Sequence, residues 1–330
     1  MKIAIVRLSA MGDIIQSMVV LQFIKKRFPH STIDWFVDSK FADLLDDCKE
    51  VDQVIEINSK NIKSRKSLYL LVSELKKIRQ LPKYDKVFDL QGLVKSALVS
   101  RVIRSDERIG FDKKSIRESF ASYFYTSRFY FPYHANVIDR YIGLVSFGLN
   151  MSVSKKEISE KKPFFFGQKK YINRKPKLKI ALILGASFPS KVYPVEKYAE
   201  IVNAINARFF AVFHSESEEK MARKLNSITN KTEMVYCKNI RELKKIISDS
   251  EIIIGGDTGP THLAWGFNKA SITIFGSTPI ERNFFPTKVN LAVTSNTAVD
   301  PYKVDKYDSS IQEINPNEII SLIKKISNYL

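Results

Sequence analysis

Residues 2–8, KIAIVRL, are a short apolar run, the pattern of a buried strand. Apolar positions then recur at helical spacing from Asp13 to Arg27, through Ile14, Met18 and Leu21. The alternation continues as strand 32–37, helix 39–47, strand 53–57, helix 67–80, strand 85–89 and helix 92–103, and an amphipathic helix over 134–149 closes the half. Strands alternating with helices at this interval predict parallel βαβ units and a doubly wound sheet.

Residues 150–179 break the pattern. They are polar and basic, carry Pro163 and Pro176, and hold one apolar knot at Phe164 to Phe166. A second series follows: strand 179–184, helix 194–206, strand 208–213, helix 216–227, strand 233–236, helix 240–248, then strands 251–255 and 271–275 flanking a short helix. Asn239 with Glu242 three residues on predicts a capping box, and Asn315, Pro316 and Glu318 open the last helix with a cap, an N1 proline and an N3 acid. IAIVRLSAMGD and IALILGASFPSK both break from strand into a small-residue turn. The prediction is α/β, two Rossmann-like doubly wound domains facing a central cleft, with ligands at the carboxyl ends of the strands. The boundaries fall at 1–160, a basic linker 161–177, a second domain 178–312, and a C-terminal helix 313–330 packing back on the first domain.

Charge changes the picture more than composition does. Against 35 acidic side chains stand 53 Lys and Arg among 330 residues, a net charge of +18. Such an excess implies a polyanionic partner: nucleic acid, an acidic membrane surface or a phosphorylated substrate. Runs at 58–83 and 161–179 are dense in base, although a charge run is first of all a solvated face. Arg7 and Asp13 interrupt any secretory signal, and no window approaches the roughly 20 apolar residues of a membrane span. A cytoplasmic protein is expected. Cys48 and Cys237 cannot build a disulfide framework or a zinc site, and the four histidines show no paired ligand spacing, so no metal is expected.

Three loops carry candidate chemistry. In GGDTGPTHLAWGF, 255–267, an apolar strand runs through two glycines into a helix start, where free N–H groups can hold an anion and Thr261 and His262 can add donors. Asp257 there suits a hydroxyl or the turn itself, with an ordinary strand–turn–helix and a capping Asp as the alternative. GASFPSK, 185–191, can set the Lys191 ammonium against phosphate, or leave it merely exposed. SAMGDI, 9–14, places Asp13 at a helix start, as a cap or as a general base. Signatures of nicotinamide enzymes, of serine hydrolases and of nucleic-acid modules are missing.

With SAMGD (9–13), DLQGLVKSALVSR (89–101), IRESFASYFY (116–125), the loop ending at Lys191 and DTGPTHL (257–263), the sequence resembles the ADP-heptose:lipopolysaccharide heptosyltransferases of glycosyltransferase family 9, and among them the heptosyltransferase I type. The resemblance implies a GT-B fold and metal-free, inverting transfer from ADP-L-glycero-β-D-manno-heptose to the inner Kdo of Kdo-lipid A. It further implies a monomer, without cofactor or nucleic acid, lying on the anionic cytoplasmic face of the inner membrane. Asp13 then matches the base and Lys191 the diphosphate-binding lysine. Asp257, Thr258, Gly259 and His262 match the donor turn, Ala186 and Ser187 stand where the family often has two threonines, and Glu218 and Lys238 match further donor contacts. On the acceptor side, in the N-terminal domain, it implies Lys60, Lys63, Arg65, Lys66 and Arg117. A heptosyltransferase II, a nucleotide-sugar epimerase and a basic nucleic-acid-binding protein are the alternatives.

Overall fold

The computed structural model describes residues 1–58, 68–165 and 177–329, without the side chains of 68–72. The chain divides into two compact units, Met1–Phe164 and Phe165–Leu330. Unit one holds β1 (Lys2–Val6), α1 (Met11–Ser17), α2 (Val19–Arg27), β2 (Thr32–Asp38), β3 (Gln53–Ile57), α3 (Leu68–Gln80), β4 (Tyr84–Asp89), α4 (Val94–Val102), β5 (Ser105–Phe111), β6 (Ser127–Phe129), α5 (Val137–Leu149) and α6 (Lys155–Ser159). Unit two holds β7 (Lys179–Ile183), α7 (Val195–Ala204), β8 (Arg208–Phe213), α8 (Glu216–Thr229), β9 (Thr232–Tyr236), α9 (Ile240–Asp249), β10 (Ile252–Gly256), α10 (Gly259–Gly266), β11 (Ala270–Phe275), α11 (Ile280–Asn283), β12 (Asn290–Thr294) and α12 (Pro316–Ser327).

Each unit is built on one six-stranded parallel sheet, ordered β3-β2-β1-β4-β5-β6 in the first and β12-β11-β10-β7-β8-β9 in the second. Counted from each unit's first strand, both follow the Rossmann order 3-2-1-4-5-6. Central strands read as unbroken apolar runs because helices cover both faces: Ile3 to Val6 in β1 and all of β10 are buried.

The expected elements form, with instructive differences. The helix read from Asp13 to Arg27 starts at Met11 and is interrupted at Met18, where the Ser17 hydroxyl donates to Ile14 O at 2.8 Å and competes with the helical ladder. Residues 39–47 make a 3₁₀ turn, Ser39–Leu44, capped by the Asp38 carboxylate. β5 escapes a reading based on apolar runs because its first half is charged. Its Glu107 sits in register with Lys86 of β4 and pairs with it, an ionic cross-strand contact where an apolar one is usual. The capping box at Asn239 forms only in part: Asn239 accepts from Glu242 N at 3.0 Å, while Glu242 turns its carboxylate to Lys238 N. The apolar face of the C-terminal helix is used within its own unit. Ile319, Ile320, Ile323 and Ile326 of α12 enter the core of unit two, beside α7 and β11. No helix among the described residues is long and apolar enough to cross a membrane.

Candidate functional site

In a sheet of this order the chain reverses its direction of winding between the first and fourth strands, and the crevice at their carboxyl ends is where ligands bind. In unit two those strands are β7 and β10. The loops leaving them are GASFPSK and DTGPTH.

β10 ends in Gly255-Gly256 because the two loops touch there. A Cβ on Gly256 would lie 2.2 Å from the Lys191 carbonyl oxygen, so only glycine permits the approach. That contact delivers Lys191: its Nζ donates to Asp257 O at 2.8 Å and pairs with Asp257 Oδ2 at 3.0 Å. His262 Nε2 stands 3.0 Å from Asp257 Oδ1, and Asn283 Nδ2 donates to Oδ2 at 3.0 Å. A carboxylate only accepts, so Nε2 carries the proton. Burial alone would raise the Asp257 pKa, but the Lys191 charge first, and then His262, outweigh it and hold the carboxyl well below the usual range. Asp257 is thus a buried counter-ion, which the sequence reading left open between cap and ligand. Beside it α10 opens with Gly259 and Pro260, after Thr258 in extended backbone, leaving first-turn N–H groups without helical acceptors. The Thr258 and Thr261 hydroxyls lie 3.2 Å apart.

The folded carboxyl resists protonation, so the unfolded chain takes up the proton first as pH falls. Asp257 contributes stability above about pH 4 that is lost progressively in more acid solution. Urea midpoints should therefore fall more steeply from about pH 5 to pH 3 for the wild type than for Asp257→Asn. Equal slopes would assign the acid sensitivity elsewhere.

Other expected donor residues are placed less directly. Ala186 is half-buried and Ser187 exposed, in the loop before Lys191. Glu218 reaches that loop, since a Cβ on Gly185 would lie 2.1 Å from its Oε1. Its other oxygen closes the capping box of α8, accepting from His214 N at 2.7 Å and Ser215 N at 3.2 Å. Lys238 lies beyond β9, its N–H donating to Glu242 at 2.7 Å.

In unit one the equivalent strands are β1 and β4. Asp13 sits in the first turn of α1, and its Oδ2 lies 2.7 Å from Nη2 of Arg7. The Tyr141 hydroxyl is 3.5 Å from Oδ1. With 40% of its side chain exposed, Asp13 can meet a substrate; Arg7, at 7%, cannot. Arg7 also donates to Leu90 O at 2.8 Å, tying the two loops together. Burial works against its charge, and Asp13 first, then Tyr141 and Asp89, more than restore it. Gln91 accepts from Leu8 N at 2.8 Å and Ser9 N at 3.3 Å, and the buried Asp89 holds Gln91 N and Gly92 N. DLQG is therefore a frame for the loop that presents Asp13.

Arg117 is exposed in the loop between β5 and β6. Lys60, Lys63, Arg65 and Lys66 lie outside the described residues. Sequence reasoning missed Arg7, Tyr141, Gln91 and Asn283. Arg7 had a signal, a charge inside an apolar strand; Asn283 had none. Among the described residues no three His, Cys, Asp or Glu side chains gather as a metal-ligand set.

Comparison with known proteins agrees in one direction. Residues 73–314 match the profile of glycosyltransferase family 9 (heptosyltransferase). The chain is 38% identical to lipopolysaccharide heptosyltransferase 1 of Campylobacter coli, over 99% of each chain. It is 24% identical to lipopolysaccharide heptosyltransferase 1 of Escherichia coli K12, over 84% of this chain and 88% of that one. Among solved structures, E. coli heptosyltransferase WaaC with ADP superimposes with a TM-score of 0.80 at 20% identity, over 99% of this chain and 100% of that one. That likeness carries the fold, two Rossmann-like halves of GT-B type.

Proposed function

The chain belongs to the heptosyltransferases of glycosyltransferase family 9, and on that premise we propose the reaction its site performs: transfer of L-glycero-D-manno-heptose from ADP-heptose to the inner Kdo of Kdo-lipid A, with inversion and without a metal. The observation that carries this reading is the Lys191–Asp257–His262 cluster at the switch point of the second sheet, a cation and a helix start converging where an anionic leaving group would sit. The WaaC structure with ADP supports an ADP-borne donor.

The acceptor hydroxyl oxygen forms a bond to the anomeric carbon as the bond from that carbon to the ADP oxygen breaks, its electron pair leaving on the β-phosphate. Asp13 receives the hydroxyl proton through an exposed carboxylate that Arg7 orients. The ammonium of Lys191 and the N–H groups opening α10 offset the charge gathering on ADP, an electrostatic role requiring no metal. One displacement inverts the anomeric centre. Ala186, Ser187, Thr258, Gly259, Glu218 and Lys238 line the donor side of unit two. Arg117 and the lysines and arginine of 60–66 serve the acceptor side of unit one, at the cytoplasmic face of the inner membrane.

Mass spectrometry of heptose-free Kdo-lipid A, incubated with the purified protein and ADP-heptose, tests this. Gain of one heptose is expected, undiminished by EDTA, with inverted configuration by NMR. Gain only on an already heptosylated acceptor would transfer the assignment to heptosyltransferase II. Isomerised ADP-heptose without acceptor would make it an epimerase.

A further inference from the structure

The loop joining β5 to β6 presents large rings to solvent although its own backbone is clamped. Phe120 and Tyr123 are 59% and 67% exposed. Phe120 lies 5.8 Å from Tyr123 and 5.6 Å from the half-buried Phe124, centre to centre. Single exposed rings are ordinary, but on the turn Ser119–Phe124 Phe120 bridges the other two rings into a contiguous patch.

The reverse side of that turn is buried. Ala121 is fully enclosed, and Tyr125 stands against Gly110, where a Cβ would meet its ring at 2.3 Å, with its hydroxyl on Asp89 at 2.8 Å. Upstream, Ile116 closes over Gly92, Ser115 is tied to Asp112, and Arg140 donates to Ser115 O at 2.7 Å. The rings are held outward by this frame; a slack loop would not fix them there.

Cations flank the turn along the chain. Lys113, Lys114, Arg117 and Arg128 are exposed, and Arg128 Nε donates to Ser122 O of the same turn at 2.8 Å. Glu118, the single acid between 113 and 128, turns one carboxylate oxygen to Val94 N at 2.7 Å.

We propose that this turn and its basic flank dock unit one on an anionic lipid bilayer, a face that extends the reading above of a lipid-borne acceptor. Aromatic rings settle at the headgroup level while neighbouring cations meet lipid phosphates. A second copy of the patch would set cation against cation. The connection that carries the turn leaves β5 at the carboxyl edge of the sheet, the same edge that carries Asp13, and Glu118, just before the turn, is held there at the start of α4 by Val94 N. Docking there brings that edge to the surface in which the acceptor lies.

Flotation with acceptor-free vesicles of phosphatidylethanolamine and phosphatidylglycerol reads docking separately from transfer. The wild type should float at low salt and be released as salt rises. Phe120→Ser with Tyr123→Ser should lower the partition constant about tenfold, and Lys113→Glu with Lys114→Glu by a similar factor. Both double variants should keep the wild-type melting temperature and wild-type turnover on a fully deacylated acceptor. Wild type that stays in solution, or a ring-deficient variant that floats equally well, overturns the proposal. So does lost turnover on the deacylated acceptor, which would place the rings at the acceptor sugar, or a dimer abolished by the ring variant, which would make the patch a contact between copies. Intact flotation without heptose transfer would instead sink the proposed function alone.

Discussion

Lys191→Ala should lower kcat/KM for ADP-heptose by about a hundredfold or more, roughly 3 kcal/mol of lost transition-state stabilisation. Its ammonium is fixed on Asp257 beside the turn that opens α10, and the other two side chains on that carboxylate, His262 and Asn283, are already engaged by it. The single variant also strands a buried carboxylate, which costs stability as well. The pair Lys191→Ala with Asp257→Asn separates the two effects. Thermal stability should return toward the wild type, while donor affinity measured by calorimetry and turnover stay low. Recovery of both in the double variant would make Lys191 a partner for Asp257 and nothing more.

Asp13→Asn should reduce kcat by about a thousandfold while leaving donor affinity within a factor of about two. Asparagine is the sharper choice over alanine. It keeps an oxygen for Arg7, whose buried guanidinium would otherwise lose its partner, and removes only the capacity to take a proton. Asp13→Ala should be equally inactive but less stable. Stopped turnover with unchanged calorimetric donor binding supports the base assignment; an Asn variant turning over near the wild-type rate would end it.

Much of this molecule is legible along the chain, for a physical reason. Parallel strands covered on both faces must be apolar throughout, so KIAIV, KIALI and IIIGG announce themselves. Strands whose neighbours satisfy them by charge do not, and β5, with Glu107 against Lys86, went unread. The site divides similarly. Asp13, Lys191, Asp257 and His262 sit in small-residue turns directly after strands, where spacing marks them. Arg7, Gln91 and Asn283 reach the same places from other elements, and only the fold juxtaposes them. Arg7 was visible as a flaw in an apolar strand, yet its partner could not be read from a one-dimensional pattern. The basic residues 60–66 remain a matter of sequence, outside the described part of unit one.

The Lys191–Asp257 pair has a consequence for which ligands can win the site. In the free protein the ammonium already has a counter-ion, so the pocket greets an incoming anion as nearly neutral. On the function proposed above, an arriving phosphate therefore meets a cation that keeps one N–H to offer but whose charge is already offset by a carboxylate held by two further donors. Small free anions should gain little there. A nucleotide sugar that adds a base, a ribose and a sugar to other contacts should gain more. A masked cation of this kind would favour selectivity over raw affinity, in a protein whose net charge of +18 draws anions generally.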